Sequence, residues 1–206
     1  MKNALFLALT LALSSTPALA GEWVVSAAAG QSDAHGMDCS SSASLNVDCD
    51  DTDTEYKLSL AYFWDAFFGA EVAYYDFGDV TRNDTATDLR IDETYGADGI
   101  FYGLTARLPL TDDLALIGRA GRIRYSSDAH IRYDVAGVAG AVSSTDHDSA
   151  GLYGLGLRYR LTPEFSLNAE YEQSNDIRVE DIDINGQRFE QAADRRVWNL
   201  GASYRF

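Results

Sequence analysis

The stretch Gly151-Leu152-Tyr153-Gly154-Leu155-Gly156-Leu157-Arg158-Tyr159-Arg160-Leu161 decides the fold. One parity reads Tyr153, Leu155, Leu157, Tyr159 and Leu161. The other reads Gly154, Gly156, Arg158 and Arg160. Alternation with period two marks a β-strand with two unlike faces. The next run repeats it, with Phe165, Leu167, Ala169 and Tyr171 set against Ser166, Asn168, Glu170 and Glu172. The last run sets Trp198, Leu200, Ala202, Tyr204 and Phe206 against Asn199, Gly201, Ser203 and Arg205. Upstream, Tyr56, Leu58, Leu60 and Tyr62 oppose Glu55, Lys57, Ser59 and Ala61. Phe68, Ala70, Val72 and Tyr74 oppose Gly69, Glu71 and Ala73. Ile100, Tyr102, Leu104, Ala106 and Leu108 oppose Phe101, Gly103, Thr105 and Arg107.

Two features decide which face is outside. The polar parity is rich in Gly and Ser with isolated charges, unlike the Lys, Thr and Glu of a solvated sandwich face. The apolar parity carries aromatics near both ends: Tyr56 and Tyr62, Phe68 and Tyr74, Tyr153 and Tyr159, Phe165 and Tyr171, Trp198 and Tyr204. Each pair spans ~20 Å of strand, or ~15 Å along the membrane normal at the usual tilt. Rings reaching outward extend this towards the ~25 Å apolar band of an outer membrane. Amphipathic rings settle at the lipid–water boundary. The apolar face is therefore expected to meet lipid.

Eight strands are expected, near 22–30, 54–63, 67–77, 98–108, 114–125, 150–161, 165–184 and 187–206. Backbone groups in hydrocarbon must all be paired, so the sheet has to close. The expected fold is all-β, an eight-stranded antiparallel up-and-down transmembrane β-barrel. Residues 63–67, 109–113 and 162–164 read as tight periplasmic turns. Residues 31–53, 78–97 and 126–149 read as long polar external loops, and a fourth external connection joins the last two strands. Asp181-Ile182-Asp183-Ile184-Asn185-Gly186 matches the first half of a calcium-binding EF-hand loop. The second half fails: Ala192 stands where a Glu is needed, and Arg188 where an apolar residue is usual. Asn-Gly is instead a preferred hairpin turn.

Residues 1–20 read as a secretory signal peptide. Lys2 supplies the positive start, Ala4 to Leu13 an apolar run too short to span a bilayer, and Ala18-Leu19-Ala20 the cleavage signal. Residues 21–206 then form one domain. The formal net charge of −16 argues against nucleic acid, whose phosphates need a basic surface. Past the signal segment no run of ~20 apolar residues occurs, so no transmembrane helix is expected. Cys39 and Cys49 reach an oxidising compartment on export, which makes a disulfide the default. Closing so short a loop stabilises by about 2.5–3 kcal/mol in a chain-entropy account. A tetrahedral metal site is the competing reading, but no His or further Cys completes one.

The chain resembles outer-membrane β-barrels of the OmpA transmembrane-domain type. The resemblance is carried by Phe68-Gly69-Ala70-Glu71 through Tyr75-Asp76-Phe77-Gly78, by Leu116 to Gly121, by Gly154-Leu155-Gly156-Leu157-Arg158-Tyr159, by Leu161-Thr162-Pro163-Glu164 and by the ending Tyr204-Arg205-Phe206. It covers residues 21–206 and implies the outer membrane of a Gram-negative bacterium. It also implies that the terminal aromatic strand, with Trp198, Tyr204 and Phe206, is the signal read by the barrel assembly machinery. No counterpart of the peptidoglycan-binding domain is seen, so peptidoglycan tethering is not carried over.

Candidate chemistry lies on the inward parity. Glu71, Arg107, Arg119, Arg158, Glu170 and Glu172 all fall there. An eight-stranded barrel is only wide enough for its side chains to fill. Buried charges must pair, so a luminal network is expected in which Glu71 and Glu170 meet Arg119, Arg158 and Arg107. Its plain role is filling. By resemblance to the OmpA transmembrane-domain type, a sharper role is a salt-bridge gate over a narrow ion or small-solute channel. An enzyme acting on lipid A is a third class: His147, Asp148 and Ser149 are adjacent, but neighbours on a strand face opposite ways, so no enzymatic role is expected. His35 and His130 are read as solvated. Asp48, Asp50, Asp51, Asp53 and Glu55 form an acidic first loop, with a divalent-cation site as the alternative to a solvated surface. Arg122 and Arg124 read equally as inward or as outward towards lipopolysaccharide phosphates. No cofactor is expected. Expected partners are outer-membrane lipid and lipopolysaccharide, the assembly machinery, and a host or surface ligand held by the loops.

Overall fold

The computed structural model describes residues 21–35, 46–50, 52–184 and 187–206. The signal segment, Cys39, Asp51, Asn185 and Gly186 lie outside the described residues, as does the side chain of Cys49. The strands are β1 (Glu22–His35), β2 (Asn46–Asp50), β3 (Thr52–Phe63), β4 (Phe68–Ala86), β5 (Leu89–Pro109), β6 (Leu114–Val135), β7 (Val138–Arg160), β8 (Phe165–Ile184) and β9 (Gln187–Arg205).

All but β2 join in one antiparallel ring. Each pairs with its sequence neighbour, and β1 closes against β9 from Val24↔Arg205 to His35↔Asp194. The short β2 lies alongside the distal part of β4, from Asn46↔Thr85 to Asp50↔Thr81. Closure leaves the eight long strands without a free edge over the shared lower wall, as backbone in hydrocarbon requires.

At one end of the ring the turns are short and locally capped. Asp65 accepts the N–H groups of Phe67 (2.7 Å) and Phe68 (2.6 Å). The Thr111 hydroxyl accepts that of Leu114 (3.0 Å), and the Thr162 hydroxyl that of Phe165 (3.0 Å). Short polar side chains that bond their own backbone make such turns. At the other end the strands run far past the expected limits. The segments 78–97 and 126–149, expected as irregular loops, are long β-hairpins. β4 and β5 pair out to Ala86↔Leu89, and β6 and β7 out to Val135↔Val138. The second hairpin turns through Ala136 (φ 52°) and Gly137 (φ 83°), the left-handed pair that favours a tight reversal. β8 and β9 likewise pair out to Ile184↔Gln187. Strands, not helices, flank the Asp181–Gly186 segment, so the EF-hand reading falls. The extensions of β4 to β7 carry polar residues on both faces. Their ladders persist while their hydrophobic alternation fades, which is why the sequence pattern ended early.

The alternation holds lower down. β4 runs exposed–buried strictly from Phe68 to Phe77. Rings pair on the outer surface, Trp23 against Tyr62 at 4.8 Å and Tyr171 against Trp198 at 4.6 Å between centroids. The interior is layered. Val24, Ala61 and Phe63 pack at the short-turn end. Tyr75, Phe77, Phe101, Ile123, Tyr125, Leu152 and Val197 fill the half nearer the hairpins. Charged side chains lie between.

Candidate functional site

The charged layer is built from inward positions of four strands: Lys57 on β3, Glu71 on β4, Arg119 on β6, and Glu170 and Glu172 on β8. Arg119 sits at its centre. One guanidinium nitrogen lies 2.5 Å from Glu172 Oε1 and 3.4 Å from Glu71 Oε1; the other lies 2.8 Å from Glu170 Oε1. Lys57 Nζ lies 2.7 Å from Glu172 Oε1 and also pairs with Glu170. All five side chains are at most 5% exposed. Glycines make the room. A Cβ at Gly154 would lie 2.8 Å from Glu172 Cγ, and one at Gly156 would lie 2.6 Å from Glu170 Cγ. Larger residues there would push both carboxylates off Arg119.

The expected set divides. Glu71, Arg119, Glu170 and Glu172 come together. Arg107 does not join them. It lies at the short-turn end, 2.7 Å from Glu22 Oε1, with its guanidinium 4.5 Å from the centre of the Phe63 ring. Arg205 reaches the same Glu22 at 3.4 Å. Arg158 donates to Asn168 Oδ1 at 2.9 Å, and no carboxylate lies within ion-pair distance of it among the described residues. The stagger of the strands, which sequence parity does not reveal, sets these levels.

Sequence reasoning passed over Lys57, although it shares the parity of Glu55. Glu55 itself is a correction: assigned to the acidic loop, it is fully buried in the interior. Both its carboxylate oxygens, the Tyr75 hydroxyl and the Asn199 amide lack a hydrogen-bond partner among the described residues. Arg195 is the further inward cation, donating to Phe77 O at 3.1 Å and lying over the Phe77 ring at 5.2 Å.

Asp53 also leaves the acidic loop. Its carboxylate accepts the N–H groups of Asp79 (2.7 Å) and Thr54 (2.6 Å), and those two bonds hold its pKa below the ordinary 3.8. With Glu55 buried and Asp53 engaged, the five acids are not one cluster. Among the described residues no group of three or more His, Cys, Asp or Glu is placed to hold a metal ion. Nor do His147, Asp148 and Ser149 form a catalytic set. Arg122 donates to the Ser149 hydroxyl at 2.8 Å, and Asp148 is on the opposite parity. Arg122 and Arg124 both face outward, flanking the buried Ile123, so their inward alternative falls. On the last strand Trp198, Leu200, Tyr204 and Phe206 are exposed on the outer face.

Comparison with known proteins agrees with this architecture. The OmpA-like transmembrane domain family matches residues 18–206. Outer membrane protein A of Shigella flexneri is 35% identical over 120 residues, which is 56% of this chain and 31% of that protein. Its counterpart from Salmonella typhi is 34% identical over 116 residues, 54% of this chain and 29% of that protein. The chain thus spans about a third of the length of these curated relatives. The outer membrane protein OprG of Pseudomonas aeruginosa shares the fold, with a TM-score of 0.58 and 14% identity over 91% of this chain and 96% of that one. The chain belongs to the OmpA-like transmembrane domain family. It is a β-barrel of the Gram-negative outer membrane, as its sequence implied.

Proposed function

We propose that this member of the OmpA-like transmembrane domain family is a structural and surface-interaction barrel. Its interior is filled with side chains, and its external hairpins meet the environment or a host. The observation that carries this reading is Arg119, ion-paired with three carboxylates across the bore and hydrogen-bonded to two of them, Glu170 and Glu172. With Lys57 it supplies two positive charges against the three of Glu71, Glu170 and Glu172. Opening such a layer would separate buried opposite charges, which is costly. The family's residence in the outer membrane supports orienting the short turns to the periplasm and the long hairpins outward. In that orientation the hairpins 78–97 and 126–149 carry partner choice. The test is a surface binding screen comparing the intact barrel with one whose two hairpins are cut back to the membrane. Binding that survives the cut contradicts the reading.

The same reading takes Trp198, Tyr204 and Phe206 as the assembly signal, Cys39–Cys49 as a disulfide, residues 1–20 as a signal peptide and lipopolysaccharide as a neighbouring lipid. No enzymatic activity is assigned. A second reading, a narrow channel gated by the charged layer, is favoured by the unpartnered buried atoms of Glu55, Tyr75 and Asn199. Such groups call for hydration. Discrete planar-bilayer conductance that changes in Glu71→Ala supports the channel. Silence in both proteins removes it.

A further inference from the structure

We infer that the outer wall of β5–β7 binds one phosphate-bearing acylated glycolipid of the outer leaflet. This rests on the outward orientation of the hairpins given above. The outward residues of β6 read Leu114, Leu116, Gly118, Ala120, Arg122 and Arg124 from the short-turn end. Two small residues are followed by two cations on one lipid-facing line.

The small residues leave a groove. Gly118 and Ala120 floor a recess of about 450 Å³ between Phe68, Leu104, Tyr153 and Leu155. It is apolar and on the membrane face, so an acyl chain fits its chemistry. A Cβ built on Gly118 meets only Leu155, at 3.6 Å, so nothing of the protein fills the space.

The cations stand at the head of that groove. Arg122 lies in register between Tyr102 and Gly151, and Arg124 between Ile100 and Ser149. A Cβ at Gly151 would meet nothing within 4 Å, which leaves the wall beside Arg122 open. Arg122 uses one nitrogen on Ser149. Arg124 has no hydrogen-bond or ion-pair partner among the described residues. It borders a second outward recess of about 740 Å³, with Ile100, Tyr102 and Ser149. Cations on a lipid face cost least near the interface, and there a phosphate offers the acceptors that a guanidinium fork fits. In a chain of net charge −16, two adjacent exposed guanidiniums without a carboxylate partner are a local exception that an anionic headgroup complements. Asp98 and His147 border the outer edge of that second recess.

Native mass spectrometry of the full barrel in detergent micelles tests this with diphosphoryl lipid A, dephosphorylated lipid A and phosphatidylglycerol. The expected result is a one-to-one diphosphoryl lipid A adduct. It should weaken ~10-fold or more in the Arg122→Gln/Arg124→Gln double variant, where the charge-assisted bonds are lost. Gly118→Phe, which fills the groove without touching the interior, should weaken it as well. Heat-modifiable mobility on gels checks that each variant is folded. Equal binding of the dephosphorylated lipid or of phosphatidylglycerol overturns the inference, as does an adduct unchanged in both variants. Hairpin binding and conductance are read separately, so failure here is distinct from failure of the proposed function.

Discussion

The barrel interior is filled twice, by opposite chemistries. The middle layer is ionic: Arg119 and Lys57 against Glu71, Glu170 and Glu172. The layer nearer the hairpins is aromatic and aliphatic, with Tyr75 and Phe77 stacked at 5.5 Å and Phe101 edge-on to Tyr75 at 6.4 Å. The two touch: Lys57 Nζ lies 5.8 Å from the Tyr75 ring centre. The ionic layer is specific but intolerant of losing a partner. The aromatic layer is non-directional, and its loss costs in proportion to volume. On the proposed reading, a bore closed by two such layers would not depend on either alone.

The largest effect is expected in the ionic layer. Arg119→Met leaves three buried carboxylates with Lys57 as the one cation within ion-pair distance among the described residues, and should destabilise the barrel by about 4–5 kcal/mol in urea unfolding in lipid vesicles. A change below about 1 kcal/mol would mean that this layer is hydrated enough to dispense with its centre. Phe101→Ala should cost about 3–4 kcal/mol, since Phe101 is fully buried and packs against Tyr75. If the two substitutions are additive the layers are independent; coupling through Lys57 and Tyr75 would make the pair differ from the sum.

The rim above both layers should respond less. Gly78 has φ 71°, and a Cβ there would lie 2.6 Å from Asp53 Oδ2. Gly78→Ala should therefore cost about 1–2 kcal/mol and loosen the irregularity between Asp76 and Asp79. Asp53→Asn should cost under ~1 kcal/mol at neutral pH, because the carboxylate is only half-buried at the rim. Its signature is pH dependence. The two backbone N–H bonds hold its folded pKa below the ordinary 3.8, so its contribution is present above that value and is lost as pH falls through the lower folded one. The parent should lose more stability than the variant across that acid window, and parallel curves would remove Asp53 from the rim.

How much of this was legible follows from the same comparison. The fold was readable where the two faces of a strand differ, as in Gly151–Leu161 and Phe68–Tyr74. It faded where both faces are polar, so the hairpins at 78–97 and 126–149 were read as loops. Parity placed Glu71, Arg119, Glu170 and Glu172 on one face. It could not place Arg107 with Glu22 or Arg158 with Asn168, because strand stagger sets the level of each residue along the axis. Lys57 and Glu55 were on the same parity too, but the acidic run around Asp48–Glu55 drew Glu55 into the loop. The aromatic layer was partly visible, since Phe101 opposes Ile100 and Tyr102, yet a mostly small and polar inward face hid its extent.

The most direct test is planar-bilayer recording of the refolded barrel, of Arg119→Met, of Phe101→Ala and of the two combined, each shown to be folded by heat-modifiable mobility. Two stacked layers predict silence in the unaltered barrel and in each single variant, and ion passage only when both are broken. Discrete conductance steps in the unaltered barrel would contradict the account.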